Sequence, residues 1–378
     1  MSQQRNLVQD DQTHLFKRSL THRTSYVKGR TRINNKVYWD FSANDYLGLS
    51  SNDQLLEAVK SVMSSMGSTG SRLLSGQNDS VNQLENELAD WLGKEAVLVF
   101  NSGYQCNVGV IPTFFDQRDL IIADKYIHAS LIDGIKLSGA QFKRFSHLNY
   151  KHCHQLLEAY SHQYRHVLIV SESVFSMDGD IADIDTLIDL KKRFNCFLMI
   201  DEAHALGVYG DSGEGLVGRR QNDVDFLVGT FGKAFGSAGA YVGVSEHFKQ
   251  VLVNHCRSFI YSTALPLPVM YWNLFALRHI RDAGQLRKQF LLQIIHFRDS
   301  LKQLGVDVLG ETHIVPLLGT SFESLNMLKM EFESKGIWVP IIQSPTVLKG
   351  KERIRFSLSL DHPSDVLDQV IDVIKHKL

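Results

Sequence analysis

Short apolar runs that alternate with helical segments are the feature that most constrains the fold of this chain. Strands buried on both faces of a parallel sheet read as continuous apolar runs, and helices usually connect them. We therefore predict an α/β fold with a mainly parallel sheet and helices such as Leu156–His162 and Ile184–Arg193. The predicted strands are Ala96–Phe100, Leu120–Ala123, Val167–Val170, Cys196–Ile200, Phe226–Val228 and Ala240–Val244.

The length of 378 residues indicates more than one domain. Residues 1–40 are polar and basic, and we expect an N-terminal helix and an extended arm there. Residues 41–268 are predicted to form a large domain and residues 269–378 a smaller C-terminal α/β domain. Within the smaller domain we expect one or two long helices over Met270–Leu304, a helix near Ser324–Lys335, a strand at Arg353–Leu358 and a closing helix.

The composition, 44% hydrophobic and 21% charged, is typical of a soluble globular enzyme. The net charge of −1 gives no support for nucleic-acid or membrane binding. No apolar run approaches the ~20 residues of a membrane span, and the N-terminus lacks a signal-peptide core. The four cysteines are far apart, so we expect free thiols and a cytoplasmic protein. We expect no metal site at His152-Cys153-His154, because adjacent side chains point apart.

A glycine-rich stretch with one lysine follows the predicted strand Phe226–Val228. Four glycines surround Lys233 in the sequence GTFGKAFGSAG, so little side-chain bulk shields the backbone there. In an α/β protein, a lysine just past a strand end lies where ligands bind. A glycine-rich surface loop with a solvated lysine is the alternative. A P-loop is excluded, because Ala234 follows the lysine where a P-loop has serine or threonine.

A carboxylate and a histidine follow another predicted strand. Asp201 and His204 come directly after the run CFLMI, where polar groups are costly unless they have partners. Pyridoxal phosphate needs a lysine for a Schiff base and a carboxylate for its pyridinium nitrogen. Asp201 and Lys233 therefore predict such a site at one sheet edge.

The Gly/Ser-rich loop GSTGSRLLSG, residues 67–76, does not match the dinucleotide-binding pattern GxGxxG. We expect the next helix, Ser80–Leu92, to begin with a capping box of Ser80 and Gln83.

From about Phe41 to the C-terminus the chain resembles the α-oxoamine synthases, pyridoxal-phosphate enzymes of the aspartate-aminotransferase fold type. The motifs that carry the resemblance are FSANDYLGLS, GSTGSRLLSG, FNSGYQCN, DKYIHASL, SESVFSMDGD, DEAHALGVYG, TFGKAFGSAGA, IYSTALP and RIRFSLS. The fold it implies has a large domain with a mainly parallel sheet and a smaller C-terminal domain. Departures from the family pattern include Thr69, where a glycine is common, and Leu348 in place of a proline.

The resemblance implies four catalytic residues. Lys233 would hold the cofactor and move protons as a general base. Asp201 would pair with the pyridinium nitrogen, and His204 would donate to the ring hydroxyl oxygen. His128 would stack on the ring and contact the substrate. On the residues alone, a histidine that caps a surface helix explains His128 better.

The resemblance also implies binding residues. The backbone N–H groups of Ser102, Gly103 and Tyr104 would suit the cofactor phosphate at a helix start. Hydroxyl groups near the cofactor would come from Ser176 and Thr230, and Ser262 and Thr263 would reach the phosphate of a partner subunit. Substrate contacts would come from Asn44, Thr346, Arg18 (with Arg23 as a rival) and Arg355, which would bind the α-carboxylate. We expect Arg353 to point the other way along its strand, which favours Arg355.

The implied reaction is a decarboxylating condensation of an amino acid with an acyl thioester in a homodimer with shared active sites. The C-terminal segment, including Pro345-Thr346-Val347, favours the branch of the family that uses L-alanine and a pimeloyl thioester in biotin biosynthesis. Members that use glycine or serine remain alternatives, as does a non-catalytic regulatory subunit of the same fold. The sequence leaves open whether coenzyme A or acyl carrier protein carries the acyl chain.

Overall fold

The structure is a computed structural model that describes residues 20–377. The apolar runs form the centre of a seven-stranded sheet, and two smaller sheets lie outside it. In chain order the strands are β1 Arg23–Val27, β2 Arg30–Ile33, β3 Lys36–Asp40, β4 Ala96–Phe100, β5 Leu120–Asp124, β6 Gln141–Phe145, β7 Val167–Glu172, β8 Phe197–Asp201, β9 Phe226–Thr230, β10 Ala240–Val244, β11 Ile314–Leu318, β12 Ile337–Trp338, β13 Ile341–Ile342 and β14 Arg353–Ser357.

Helices connect most of these strands and cover the sheet. They are α1 Asp53–Val62, α2 Asp79–Leu92, α3 Gly103–Phe114, α4 Ala129–Ser138, α5 Tyr150–Tyr160, α6 Ile184–Phe194, α7 Glu246–His255, α8 Arg257–Ile260, α9 Leu267–Asp282, α10 Gly284–Gln303, α11 Phe322–Ser334 and α12 Ser364–Lys375, with 3-10 turns at Leu49–Ser51, Ser161–Gln163 and Gly218–Asp223. Across residues 20–377, no helix is both long enough and apolar enough to cross a membrane.

The central sheet has the order β4-β10-β9-β8-β7-β5-β6. The neighbours β9, β8, β7, β5 and β6 run parallel, and only β10 among the seven strands runs opposite to its neighbours. The carboxyl ends of six strands therefore lie on the same side of the sheet, which is called the sheet edge below. The prediction of a mainly parallel α/β sheet is confirmed, and all the predicted strands are present within a residue or two.

The edge strand β6 was not predicted from the sequence. Its residues QFKRF mix polar and apolar side chains, and only Phe145 is buried. An edge strand has one neighbour and needs no continuous apolar run, so the apolar pattern did not reveal it.

The N-terminal segment differs from its prediction. Residues 1–19 lie outside the described residues, and the rest of the expected helix and arm forms the antiparallel strands β1, β2 and β3, with β12 beside β3. Asn34 and Asn35 both have positive φ, at 48° and 64°, which is the geometry of a tight hairpin turn. The expected start of α2 is also wrong, because Asn78 caps it through a 3.2 Å contact from the Val81 N–H.

The C-terminal residues have a separate hydrophobic core around the sheet β11-β14-β13. Phe41 and Tyr46 pack into this core with Phe290, Phe297 and Phe356. The segment after β3 therefore joins the C-terminal core to the rest of the chain. The domain boundaries at residues 40 and 268 stay a prediction.

Candidate active site

The sheet edge where six strands end collects most of the predicted catalytic residues. Glu172 and Asp201 end β7 and β8 and lie opposite each other in the parallel register, and His204 follows three residues later. Lys233 follows β9, and His128 lies between β5 and α4. This edge is where ligands bind in open parallel sheets.

Lys233 and His204 are in direct contact, although they follow different strands. Lys233 Nζ lies 2.8 Å from His204 Nε2, and the Tyr46 hydroxyl lies 2.6 Å from His204 Nδ1. Tyr46 is fully buried and His204 nearly so. Tyr46 was not singled out as a site residue from the sequence, although the resemblance implied a substrate contact for Asn44, two residues before it.

The environment of Lys233 lowers the pKa of its amine. Burial lowers its pKa to about 8, against the opposing attraction of Asp201 and Glu172. Burial and the positive charge of Lys233 hold the pKa of His204 well below its ordinary value, so its imidazole is neutral. An amine with a pKa near 8 can attack a carbonyl group and can move protons near neutral pH.

Asp201 is linked to His128 by a chain of buried polar groups. Asn107, in α3, donates one amide hydrogen to Asp201 Oδ2 and the other to Ser130 Oγ, each over 3.0 Å. Ser130 Oγ lies 2.8 Å from His128 Nδ1, which also accepts the Ser130 N–H at 3.2 Å. Nδ1 is therefore the acceptor of the neutral ring, and its proton lies on Nε2. A polar residue within the apolar sequence of α3 was the available signal for Asn107.

His128 both caps a helix and faces the site. Its side chain is the N-cap of α4, as expected from the residues alone, and it remains exposed. Its backbone N–H donates to Glu172. Burial and the nearby Asp201 raise the pKa of Glu172 to about 8. Glu172 stands two residues after the apolar run Val167–Val170, so it has nearly the same sequence signal as Asp201, although we did not single it out.

The start of α3 provides donors for an anion. Ser102 is its N-cap and accepts the Gln105 N–H at 3.2 Å. The N–H groups of Gly103 and Tyr104 have no acceptor within the helix, since they belong to its first turn. Thr230 lies next to Gly103, because a Cβ on Gly103 would stand 3.9 Å from Thr230 Cβ. These four residues lie together at the start of α3, and their role in binding the phosphate stays a prediction.

The segment with Ser262 and Thr263 lies against the same end of α3. Gln105 Nε2 donates to Ser262 Oγ over 3.3 Å, and Asn101 donates to the Thr263 carbonyl over 2.6 Å. Tyr261, next to them, is 72% exposed. The segment therefore lies close to the start of α3 in its own chain and presents a large side chain outward.

Arg355 lies buried beside Tyr46. Its Nε donates to the carbonyl of Ser176 over 2.6 Å, and both terminal nitrogens lie 3.4 Å from Asn44 Oδ1. It is the backbone of Ser176 that makes this contact. Asn44 Oδ1 is also 3.3 Å from Ser357 Oγ.

The expected direction of Arg353 is wrong. Residues two apart on a strand share a face, and both arginines of β14 reach the segment after β7. Arg353 pairs with Asp178, whereas Arg355 reaches Ser176 and Asn44. The preference for Arg355 therefore depends on its partners and not on its direction.

A cavity of about 560 Å³ opens beside these residues. Its apolar wall includes Phe175, Met177 and Val347, and its rim carries Lys125 and Arg144. Thr346 and Ser176 also line it, and their contacts with bound ligands stay a prediction. An apolar cavity with cationic groups at its rim suits an amphiphilic anion.

Two candidate substrate arginines belong to the N-terminal segment. Arg18 lies outside the described residues, and its rival Arg23 pairs with Asp40 and donates to Ser42 Oγ over 2.7 Å. Thr69 has a φ of +55°, a conformation that disfavours a β-branched residue. Its backbone conformation explains why glycine is common at this position in the family. Among the described residues no group of His, Cys, Asp and Glu has the geometry for a metal ion.

A model of the aminotransferase class I and II family matches residues 36–374. The chain belongs to this family. An 8-amino-7-oxononanoate synthase of Chlorobaculum parvum is 38% identical over 360 residues, which cover 92% of this chain and 90% of that protein. A putative 8-amino-7-oxononanoate synthase of Glaesserella parasuis is 43% identical over 335 residues, covering 85% and 87%.

Solved structures of family members have the same architecture. Serine palmitoyltransferase of Sphingomonas wittichii superposes with a TM-score of 0.89 at 27% identity, covering 93% of this chain and 90% of that one. The 8-amino-7-oxononanoate synthase of Francisella tularensis gives 0.77 at 30% identity, covering 89% and 97%. A structure of SPT with its pyridoxal phosphate gives 0.89 at 25% identity. The predicted α-oxoamine synthase family, transferase fold and pyridoxal-phosphate cofactor are thereby confirmed.

The residues at the sheet edge fit this cofactor. Asp201 is a buried carboxylate that Asn107 and the Ala203 N–H hold in place, as a pyridinium partner requires. Lys233 has the lowered pKa that a Schiff base needs. The N–H groups at the start of α3 suit its phosphate.

Proposed function

We propose that this α-oxoamine synthase condenses L-alanine with a pimeloyl thioester and gives 8-amino-7-oxononanoate, carbon dioxide and the free thiol carrier. This is the reaction of biotin biosynthesis. The observation that carries the chemistry is the contact of Lys233 with His204, beside the Asp201–Asn107 pair, at one sheet edge. The similarity to 8-amino-7-oxononanoate synthases supports the choice of L-alanine and a pimeloyl thioester as substrates.

Each proposed step needs specific side chains. The bound cofactor supplies an electron sink for negative charge at the α-carbon of an amino acid. Lys233 holds the cofactor and then takes the α-proton at Nζ, for which a pKa of about 8 is suited. Asp201 keeps the ring nitrogen protonated through its negative charge. Asn107 orients this carboxylate, since it donates to Oδ2.

Other residues orient the substrates. Arg355 binds the amino acid carboxylate, with Asn44 beside it to fix the guanidinium plane. His128 stacks its exposed ring on the cofactor and contacts the substrate, while Ser130 fixes its tautomer. Ser102, Gly103, Tyr104 and Thr230 bind the phosphate, and Ser176 contributes its hydroxyl nearby.

The cavity beside Thr346 binds the acyl chain. Its apolar wall excludes water from the chain, and Thr346 donates to a polar group of the substrate. The cationic rim attracts the carboxylate of the acyl chain or the phosphates of its carrier, and coenzyme A and acyl carrier protein both supply such phosphates. Arg18 is proposed as a further substrate contact.

We place the enzyme in the cytoplasm as a symmetric homodimer. All four cysteines are buried free thiols, as a reducing compartment favours. Tyr261 is exposed next to Ser262 and Thr263, and Leu74 in the loop 67–76 is 84% exposed. Because a second copy would cover such apolar groups, we propose that this segment lies at the dimer interface and reaches the partner's phosphate.

The strong likeness to serine palmitoyltransferase favours a second candidate, in which serine is the amino acid and the acyl chain is longer. The glycine-dependent members, 2-amino-3-ketobutyrate CoA ligase and 5-aminolevulinate synthase, belong to the same class. A non-catalytic subunit is a poor candidate, since Lys233, His204 and Asp201 form a complete constellation.

Turnover with defined substrates tests the proposal. L-Alanine, glycine and L-serine are each supplied with pimeloyl, acetyl, succinyl and palmitoyl thioesters, on coenzyme A and on acyl carrier protein. We expect the product mass of 8-amino-7-oxononanoate from alanine and the pimeloyl thioester, with the highest kcat/KM. A higher kcat/KM for serine with the palmitoyl thioester replaces the proposal by the second candidate. Borohydride reduction should place the cofactor label on Lys233, and a label elsewhere contradicts the assignment of that lysine.

A further inference from the structure

His204 is held at both ring nitrogens within a buried chain of polar groups. Nδ1 lies 2.6 Å from the Tyr46 hydroxyl and Nε2 lies 2.8 Å from Lys233 Nζ. The Tyr46 hydroxyl is also 3.2 Å from Asn44 Oδ1. A neutral imidazole has one N–H and one lone pair, so the partners decide which nitrogen holds the proton.

A charged Lys233 allows only one arrangement. An ammonium group has three donors and no acceptor, so His204 Nε2 must offer its lone pair. The ring proton then lies on Nδ1 and is donated to the Tyr46 oxygen. Tyr46 in turn donates its own proton to Asn44 Oδ1. The side-chain groups that link Lys233 to Asn44 through His204 and Tyr46 then all have hydrogen-bond partners.

The reverse arrangement becomes available when Lys233 loses its ammonium charge. Nε2 can then hold the ring proton, and Nδ1 accepts the proton of the Tyr46 hydroxyl after a rotation of the O–H bond. Asn44 Oδ1 keeps other donors in this arrangement, because Arg355 and Ser357 lie 3.4 and 3.3 Å away. A hydroxyl group serves both arrangements because it can donate or accept.

We propose that Tyr46 is a positioning residue that switches the tautomer of His204 with the charge on Lys233. The inference rests on the proposed function, in which Lys233 holds the cofactor and His204 donates to its ring oxygen. In the cofactor-free protein, His204 Nε2 would offer its lone pair to the Lys233 ammonium group. With the cofactor bound, the same nitrogen would carry the proton and donate it to the ring oxygen. No net proton uptake accompanies the tautomer change itself, since one proton leaves Nδ1 and one arrives at Nε2.

Several charged groups around this chain influence the charge of Lys233. Asp201 and Glu172 stabilise the ammonium, and Arg355 opposes it. The positive charges near His204 are those of Lys233 and Arg355, and its neutral neighbours include His313. A variant of Tyr46 leaves all these charges in place, so its effect reports the hydroxyl alone.

Nitrogen NMR of histidine-labelled protein tests the switch in the native chain. The His204 signals are assigned by their loss in His204→Asn. In the cofactor-free protein, below the Lys233 pKa of about 8, we expect the Nδ1–H tautomer. After loading with pyridoxal phosphate we expect the Nε2–H tautomer. The same tautomer in both states overturns the proposal, and this arm needs no variant.

Tyr46→Phe removes the hydroxyl at constant ring shape. Nδ1–H would then be a buried donor without an acceptor, so the Nε2–H tautomer should prevail with and without cofactor. An N–H on His204 Nε2 would face the donors of the Lys233 ammonium group and destabilise it. The pKa of Lys233 in the cofactor-free protein should therefore fall by about one unit. The pH dependence of the reductive methylation of Lys233 measures this shift.

Tyr209→Phe is the matched control, since the Tyr209 hydroxyl lies 3.5 Å from Nδ1 of His313 and does not contact His204. It should change neither the His204 tautomer nor the Lys233 pKa. If cofactor-free Tyr46→Phe keeps the Nδ1–H tautomer that is expected for the native cofactor-free protein, the proposal is contradicted. Because the cofactor-free measurements involve no substrate, a wrong substrate assignment leaves their outcome unaffected, and the turnover assay detects that error separately.

Discussion

At the residue scale, the buried charges of the site have partners on more than one element. Asp201 lies on β8, its amide partner Asn107 on α3, and Lys233 after β9. A buried carboxylate is costly unless hydrogen bonds and opposite charges compensate for lost hydration. These partners hold the Asp201 carboxyl group in place where the pyridinium nitrogen is proposed to bind.

Asp201→Asn should keep the fold and the bound cofactor but slow α-proton exchange by about 10²-fold or more, because the carbanion loses its main electrostatic stabiliser. Exchange of the alanine α-hydrogen in deuterated water, followed by proton NMR, measures this loss. Asp189→Asn, an exposed change on α6, is the control and should exchange normally. Near-normal exchange in Asp201→Asn would remove Asp201 from the role of ring partner.

His147 supports a second prediction at this scale. Its Nδ1 lies 2.8 Å from Asp124 and its Nε2 lies 3.0 Å from Asp180. Burial acts to lower the pKa of His147, but the two carboxylates outweigh burial and raise it to about 9. A pKa that is higher in the folded protein means that the ion pairs stabilise fully below the unfolded pKa of about 6.5.

The stabilisation by His147 should therefore be lost as the pH rises from about 6.5 through about 9. The difference in unfolding free energy between the native chain and His147→Gln should narrow over this window by on the order of 2–3 kcal/mol. Urea denaturation at a series of pH values measures it. His162→Gln alters an exposed histidine and should show no such trend. A difference that stays constant with pH would refute the ion-pair account.

At the scale of elements, helices α3 and α4 connect His128 to the N–H groups that are proposed to bind the phosphate. Asn107 in α3 hydrogen-bonds to Ser130 in α4, and the two helices approach closely at Gly134. A Cβ at Gly134 would stand 2.5 Å from the Asn107 carbonyl oxygen. Since this neighbour is backbone, it cannot move without shifting the helix that positions Asn107.

Gly134→Ala should therefore destabilise the protein by about 1–3 kcal/mol, although alanine favours a helix more than glycine does. It should also weaken cofactor binding, because Asn107 shifts relative to Asp201. Thermal denaturation and cofactor titration measure the two effects. Gly284→Ala in α10 is the matched control, since its Cβ would meet only Arg287 Nη2 at 3.7 Å, and its stability should stay within about 1 kcal/mol of the native chain. A stabilised Gly134→Ala would contradict the close approach.

At the scale of the whole molecule, the proposed shared sites require a dimer of twofold symmetry. Such an interface uses the same surface of both subunits, and each of two equivalent sites takes residues from both chains. Obligate interfaces of this kind usually bury on the order of 2,000 Å² or more. The exposed Tyr261 and Leu74 fit such a surface.

Complementation between variants tests the shared sites. A Lys233→Ala chain is mixed with a chain that carries Ser262→Ala and Thr263→Ala, and subunits are allowed to exchange. If each site uses Lys233 from one chain and the Ser262–Thr263 segment from the other, half of the mixed-dimer sites carry neither defect. Activity should then exceed that of either parent. No recovery after verified exchange would mean that Ser262, which contacts Gln105 of its own α3, serves its own site.

The central strands could be predicted from the sequence, and so could the positions of Lys233, Asp201 and His204 at the ends of strands or just after them. These follow from local patterns, because a buried strand needs apolar side chains and a polar residue after it stands at the strand end. The hairpin turn at Asn34-Asn35 was also present in the sequence as a local signal, although we predicted a helix and arm.

Which side chains meet at that end of the sheet depends on the tertiary structure. Tyr46 and His204 are 158 residues apart, and Arg355 and Asn44 are 311 apart. Their contact depends on the packing of the segment after β3 into the C-terminal core, which no local pattern contains. The edge strand β6 was decided in the same way, since pairing with β5 compensates for its mixed sequence. Hydrogen-bond partners depend on distances across the fold, and residue spacing specifies them only within one helix or strand.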